Sequence, residues 1–361
     1  DKGVPIGDRW CPETHSCNCD SCFVLEGEGG AGGFSDGKLP LSLLRGTQME
    51  SIFPSSASEI LDGIDETVVR FAGEGRWYEP GGGQPDGFLG SRFDFQSYPL
   101  RHVGSDGVRR WSAGMVRDLV DRGLDLQTQT AAVGFRREDH KIVATQIRGQ
   151  MGFQEEITAD RVIVATGIQG APWFERQLTL LGLPLGSGPA GIGIRVETHD
   201  EPLEEVFERF YDWKLVMNAG TETDPMLLRS FCCNRKGAVI NQLHQGLGVR
   251  NVNGHASIDP TTWTSSSNFA VIAKIEETHS PNPQEYVRAV AQQINAISGG
   301  HSIAQRLDDF MDGLGTLPAN LPSCRTNPMA RAGGDIRGAM PPDLAYAFGN
   351  FLTELTTCIP A

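Results

Sequence analysis

The chain has 361 residues, of which 39% are hydrophobic and 21% are charged, a composition typical of a globular protein long enough for two domains. Its 31 basic and 45 acidic residues give a formal net charge of −14, which argues against binding to nucleic acid or to an anionic membrane. No apolar run approaches the roughly 18 residues of a membrane-spanning helix. We therefore expect neither nucleic acid nor a membrane as a partner, with the oligomeric state left open.

The first 22 residues contain half of the eight cysteines, at Cys11, Cys17, Cys19 and Cys22. Four thiolates suit tetrahedral zinc or an iron–sulfur cluster, and His15 is an alternative ligand. The spacing matches neither a zinc ribbon nor a ferredoxin motif, so a redox disulfide and free structural thiols stay open. The uneven distribution is not typical of a disulfide framework and favours a reducing, cytoplasmic setting.

Residues 27–38, here named the glycine loop, read GEGGAGGFSDGK. Five glycines among the first seven residues leave the backbone uncovered, so a rigid ligand can approach it closely. Ser35, Asp36 and Lys38 follow with a hydroxyl, a carboxylate and an ammonium group. The pattern predicts a loop that cradles a ligand, and a plain mobile turn is the alternative.

Hydrophobic periodicity and helix-capping residues predict helices over 59–71, 112–122, 202–216, 283–297 and 343–357. Alternating or β-rich runs predict strands over 124–136, 141–148, 162–165, 191–197, 238–241 and 269–275. A cluster of Gly and Pro at 182–189 predicts a boundary between a domain at 1–175 and one at 176–361. Residues 53–97 are predicted to be a helical insertion in the first domain.

Eight stretches follow one another along the chain: 1–3 (DKG), 29–38 (GGAGGFSDGK), 101–106 (RHVGSD), 162–167 (VIVATG), 191–197 (GIGIRVE), 231–233 (FCC), 252–255 (VNGH) and 267–270 (SNFA). Together they resemble a family of FAD-dependent dehydrogenases among the flavoproteins with two dinucleotide-binding folds, a resemblance that implies a small-molecule substrate. The resemblance implies an α/β fold, with an incomplete Rossmann-like FAD/NAD(P)-binding domain and a mixed α+β substrate domain. It also implies hydride transfer between an unidentified organic substrate and flavin, with NAD(P) as a further candidate cofactor.

The resemblance assigns cofactor contacts to three parts of the chain. Asp1 stands where an acidic residue hydrogen-bonds the adenosine ribose, although a solvated terminal carboxylate is the plain alternative. Backbone N–H groups of the glycine loop are expected to reach the pyrophosphate or the isoalloxazine ring, and residues 165–167 to turn beneath the cofactor. The full set is Asp1, Gly29, Gly30, Ala31, Gly32, Ser35, Asp36, Lys38, Ala165, Thr166 and Gly167.

The candidate catalytic residues are His255 and His102, each within a matched polar motif. Histidine is suited to acid–base chemistry near neutral pH, and a structural hydrogen-bonding role is the alternative for both. Arg195 is expected either to pair with Glu197 on a strand or to hold an anionic substrate. Residues 232–233, a pair of cysteines, are either buried core or close to the substrate pocket.

Two departures from the family pattern concern the ends of the chain. The Gly-x-Gly-x-x-Gly turn expected about 20 residues before the acidic residue is not in this sequence, nor is a Gly-Asp pair near the carboxyl end. These departures predict an internal fragment that on its own binds FAD weakly. The rival hypothesis is a non-catalytic cysteine-cluster metal-binding protein on a degenerate flavoprotein scaffold.

Overall fold

The structure is a computed structural model of the chain. It describes residues 3, 22–43, 49–79, 83–139, 141–149, 152, 154–186, 188–324 and 332–359. The predicted ligands Asp1, Cys11, Cys17 and Cys19 lie outside the described residues.

The helices and strands of the described residues are as follows. The helices are α1 Met49–Ile52, α2 Ala57–Ala72, α3 Gly104–Asp121, α4 Gly167–Leu180, α5 Glu204–Phe210, α6 Pro283–Ile297, α7 Leu307–Asp312, α8 Ile336–Ala339 and α9 Pro342–Cys358. The strands are β1 Lys38–Pro40, β2 Arg76–Tyr78, β3 Asp94–Gln96, β4 Leu100–His102, β5 Thr130–Glu138, β6 Lys141–Gly149, β7 Gln154–Thr158, β8 Ala190–His199, β9 Lys214–Asn218, β10 Leu227–Asn234, β11 Ala238–His244, β12 Val249–His255, β13 Ser266–Ile275, β14 Ile303–Ala304 and β15 Ala332–Gly333.

The fold is mixed α/β, as expected, but its strands pair in an antiparallel manner. The sheets have the orders β1-β4-β2, β3-β9-β10-β13-β8, β5-β6-β7 and β11-β12, and all of these pairs are antiparallel. The one parallel pair among the described residues joins the two-residue strands β14 and β15. A parallel Rossmann-like sheet is therefore not seen in this part of the chain. None of the described helices has the length and apolar character needed to cross a membrane.

The five-stranded sheet and α9 enclose the main hydrophobic core. Strand β8 pairs with β13 without interruption over ten residue pairs. Trp213, Phe269, Phe348 and Phe351 are all almost fully buried in the core between these elements. Each such side chain contributes about 1.5–3 kcal/mol by leaving water, so this core holds the five-stranded sheet and α9 together.

The core contains side chains from both sides of the predicted domain boundary. Tyr78, Phe88 and Leu100 precede residue 175, and they pack in the same cluster as the side chains of α9. The segment predicted as a helical insertion contains α2, and it also contains β2 and β3. Strand β3 pairs with β9 at the edge of the five-stranded sheet.

Most predicted elements are confirmed, with shifted ends. Helix α6 has the predicted bounds, because the Asn282 side chain accepts a hydrogen bond from the Glu285 N–H and Pro283 occupies the first turn. Helices α2 and α9 extend the predicted ranges by one or two residues, α3 begins at Gly104, and β5 begins only at Thr130.

The predicted helix over 202–216 is wrong in its second half. Helix α5 ends at Phe210, and the next residue, Tyr211, has a φ of 49°, in the left-handed region that interrupts a helix. Residues 214–218 form β9, which lies between β3 and β10. Long-range pairing in the sheet therefore overrides the local helical pattern.

The predicted buried strand over 162–165 is also wrong for this structure. These residues belong to neither a helix nor a strand, and the Ile163 side chain is 91% exposed. A β-rich run becomes a strand only when neighbours complete its hydrogen bonds, and no described strand pairs with this one.

Candidate functional site

A cleft of about 1360 Å³, here named the central cleft, lies between the five-stranded sheet and several surrounding segments. One wall is the sheet face that carries Arg195, Phe231, Ala270 and Ile272, and Ile192 and Ile194 of the edge strand β8 also line the cleft. The remaining walls come from the hairpin β11-β12, from β5, from α6 and from residues 162–170. The walls are thus mainly apolar, with polar groups placed between them.

Two of the predicted cofactor-binding segments meet in the central cleft. Gly30 and Ala31 line it from the glycine loop, and Ala165, Thr166 and Gly167 line it from the start of α4. A Cβ atom built on Gly30 or on Gly167 would meet no protein atom within 4 Å, although both residues have positive φ values, of 57° and 62°. The backbone at both points is therefore open to a ligand.

Gly27 also lines the central cleft, but the other residues of the glycine loop lie outside its lining. Gly29 and Gly32 are exposed elsewhere, and Ser35 accepts a hydrogen bond from the Ala256 N–H through its backbone carbonyl. Asp36 is completely buried. In this structure its carboxylate is surrounded by protein groups, so it is not available to a ligand in the cleft.

Asp36 is the centre of a buried network that joins four parts of the chain. Its carboxylate accepts hydrogen bonds from His102 Nε2 at 2.6 Å, Tyr211 Oη at 2.9 Å and Asn234 Nδ2 at 2.7 Å, and Lys38 Nζ lies 3.4 Å away. Burial raises the pKa of Asp36. The charges of His102 and Lys38 lower this pKa by more than burial raises it, so the net pKa lies below the ordinary value. The carboxylate is therefore charged and ties the glycine loop to β4 and β10.

Lys38 connects this network to a second buried carboxylate, that of Asp212. Lys38 Nζ lies 3.3 Å from Asp212 Oδ1 and donates to the Cys233 carbonyl at 2.7 Å. Asp212 also accepts hydrogen bonds from Lys214 at 2.8 Å and from the Tyr98 hydroxyl. Burial raises the pKa of Asp212, and the charges of Lys38 and Lys214 lower it to a net value below the ordinary range. The loop is thereby fixed by paired charges.

The two predicted catalytic histidines do not line the central cleft. His102 is buried, is bonded to Asp36 and stacks on the Tyr211 ring with 3.9 Å between ring centroids. His255 Nε2 lies 3.4 Å from Ser105 Oγ, and its ring lies 6.2 Å from that of Phe34. Both histidines make contacts within the protein, and their catalytic role stays a prediction.

His244, which the sequence reasoning missed, does line the central cleft. The Nε2 atom of His244 lies 3.1 Å from Asn251 Oδ1. Because a carboxamide oxygen can only accept a hydrogen bond, Nε2 carries the proton and Nδ1 is the proton acceptor. Burial lowers the pKa of His244, which keeps the ring neutral at pH 7. The alternation of side chains along β11 was the sequence signal that could have identified His244. Gln242 and His244 are two residues apart on this strand, and both line the cleft.

Arg195 lines the central cleft from β8. Its Nη1 donates to Asn268 Oδ1 at 2.7 Å, to Asn234 Oδ1 at 3.1 Å and to the Cys232 carbonyl at 3.2 Å. The structural alternative predicted for it, an ion pair with Glu197, is not seen among the described residues. Cys232 Sγ lies 3.6 Å from Lys38 Nζ, and Phe231, its neighbour, lines the cleft.

The predicted metal site cannot be assembled from the described residues. In this part of the chain no three or more His, Cys, Asp and Glu side chains are grouped to hold a metal ion. Cys22, the one described member of the amino-terminal cysteine cluster, is buried as a free thiol and accepts a hydrogen bond from the Leu243 N–H at 3.4 Å. The zinc or iron–sulfur site stays a prediction.

Comparison of the chain with models of protein families and with curated protein sequences finds no match.

Proposed function

We propose that this chain forms part of an FAD-dependent oxidoreductase and that the central cleft takes the cofactor and its substrate. One observation carries the proposal. Residues 30–31 and 165–167, more than a hundred positions apart, were assigned to the cofactor from sequence, and both segments line the same cleft.

The dimensions and chemistry of the cleft support a large, partly aromatic ligand. Its volume of about 1360 Å³ exceeds the range of about 300–1,000 Å³ that is usual for drug-sized ligands. Phe231, Trp173 and Ile272 offer flat or apolar surfaces for a ring system. The open backbone at Gly30 and Gly167 suits close approach by a dinucleotide.

Within this proposal the residues of the chain have separate tasks. Bound FAD would supply the acceptor for the hydride that the organic substrate loses. His244 takes up the accompanying proton at Nδ1, since its ring is held neutral in the cleft. The buried pair Asp36 and Lys38 positions the glycine loop without contacting the ligand.

The Rossmann-like arrangement implied by the resemblance belongs to this proposal too. Residues 162–165 have the composition of a buried strand of a dinucleotide-binding sheet, and residues 165–167 lead directly into α4. We propose that residues 165–167, at the start of α4, face the cofactor. We also propose NAD(P) as a second cofactor and a cytoplasmic setting for the protein.

The test measures FAD binding to the chain by quenching of flavin fluorescence at increasing protein concentration. We expect saturable binding that is lost in Gly167→Asn, where a side chain would project into the cleft. Gly248→Asn is the matched control, because Gly248 has the same φ of 62° and equally open surroundings but does not line the cleft. Equal binding by the two variants, or no binding by the unmodified chain, would contradict the proposal and favour the rival metal-binding hypothesis.

A further inference from the structure

Arg195 is a cationic group that the fold positions in the central cleft without giving it a counter-charge. Among the described residues it forms no ion pair, and its Nε is buried without a hydrogen-bond partner. Its Nη2 makes no hydrogen bond to any described group. The other charged residues lining the cleft, Glu26 and Arg250, form no ion pair with it. An uncompensated charge beside apolar walls is costly, and this cost falls when an anion binds.

The surroundings of Arg195 hold the guanidinium in one orientation. Three uncharged oxygens, from Cys232, Asn234 and Asn268, converge on Nη1. Strand β12 approaches closely at Gly254, where a Cβ atom would overlap Asn234 Oδ1 and lie 2.6 Å from Arg195 Nη1. Residues of three strands, β10, β12 and β13, therefore fix the orientation of the guanidinium. The Nη2 atom faces none of these oxygens at hydrogen-bond distance and can bind another partner.

We propose that Arg195 binds the carboxylate group of an organic substrate whose remaining body is largely apolar. A guanidinium forms charge-assisted hydrogen bonds with carboxylates, which are roughly twice as strong as bonds between neutral groups. Ala270 is the strand partner of Arg195 and Phe231 is the strand partner of Ala270, so both lie on the same sheet face as Arg195 and offer an apolar surface to the rest of the molecule. That this ligand is a substrate rests on the proposed function. The anion site itself follows from the contacts of Arg195 alone.

The test uses decanoate and its uncharged amide, decanamide, as probes of equal length. Trp173 lines the cleft, so each titration is followed by tryptophan fluorescence, with and without FAD. We expect the chain to bind decanoate roughly 10- to 100-fold more tightly than decanamide, the range expected for a hydrogen bond to a charged group. Equal affinity for the two probes in the unmodified chain would overturn the inference without any variant.

Three variants assign the effect to Arg195. Arg195→Gln removes the charge and is expected to abolish the preference for decanoate, and Arg195→Lys keeps the charge and is expected to retain most of it. Arg70→Met is the control, because Arg70 is exposed on α2 and its loss changes the net charge by the same amount. A preference that survives in Arg195→Gln would overturn the inference.

The outcomes also separate this inference from the proposed function. If the chain binds no FAD but still prefers decanoate, the proposed function fails and the anion site stands. If Arg195→Gln loses FAD binding and the unmodified chain shows no preference between the probes, Arg195 belongs to the cofactor and the inference fails.

Discussion

Asp36 and His102 are 66 positions apart in the chain, and His102 Nε2 lies 2.6 Å from Asp36 Oδ1 in a site from which water is excluded. This contact links the glycine loop to β4, and the partners Tyr211 and Asn234 extend it to the five-stranded sheet. The residues around the central cleft that hold its shape are thus distinct from those that face a ligand. The following predictions test both groups.

Replacing Asp36 by Asn should destabilise the protein by about 3–5 kcal/mol. Lys38 would lose one of its buried counter-charges, and the hydrogen-bond donors around the carboxylate would lose a charged acceptor. The free energy of unfolding in urea measures this. Asp118→Asn is the control, since Asp118 pairs with the exposed Arg70 and Arg122 and should cost less than about 1 kcal/mol. Equal losses in the two variants would show that the buried network does not stabilise the fold.

The network should also give the stability a defined pH range. Asp36 and Asp212 have pKa values below the ordinary value, so their contribution is complete above the unfolded-state pKa of about 3.9 and is lost as the pH falls through their folded-state values. Burial lowers the pKa of Lys38, but Asp212 and the other nearby negative groups raise it to a net value above the ordinary range. Its contribution is therefore complete below about pH 10.4 and is lost at higher pH.

Urea midpoints measured between about pH 2 and pH 11 test this range. Asp212→Asn removes one of the two titrating carboxylates, so its decline in acid should be shallower than that of the unmodified chain. An unchanged acid limb in this variant would mean that other groups control the acid response.

His244 should titrate below the ordinary histidine pKa of about 6.5, because burial lowers its pKa. NMR titration of the ring Cε1 protons measures this value, and the signal absent from His244→Gln identifies the residue. Since the folded-state pKa is the lower one, its contribution to stability is complete above about pH 6.5 and is lost as the pH falls. A midpoint at or above 6.5 would remove the basis for His244 as a neutral proton acceptor.

Gly254→Ala should displace Asn234 and Arg195, because the added Cβ would overlap Asn234 Oδ1. Overpacking of this kind costs about 1–3 kcal/mol, and the preference for decanoate should fall with it. The control is Gly349→Ala in α9, where a Cβ meets no atom within 4 Å and helix propensity favours alanine by about 1 kcal/mol. A folded Gly254→Ala variant with an unchanged decanoate preference would contradict the proposed arrangement.

Local sequence patterns were enough to locate many of the elements. The caps and periodicity of α6 predict its bounds, and the alternation within 191–197 and 269–275 predicts the long strands β8 and β13. These signals work because they depend on neighbours within a few residues. The glycine loop was recognised for the same reason, since the absence of side chains is a local property.

Only the tertiary structure decided which residues face the ligand and which hold the framework. Asp36 reads as a candidate ligand contact in sequence, yet its partners His102, Tyr211 and Asn234 come from distant segments and enclose it completely. Residues 214–216 are predicted as helix but pair within a sheet, and residues 162–165 are predicted as a buried strand but have no described strand partner. In the same way, His244 and Arg195 acquire their common setting only because strands far apart in sequence meet at one cleft. Long-range pairing, burial and charge compensation determine these outcomes, and no local pattern contains them.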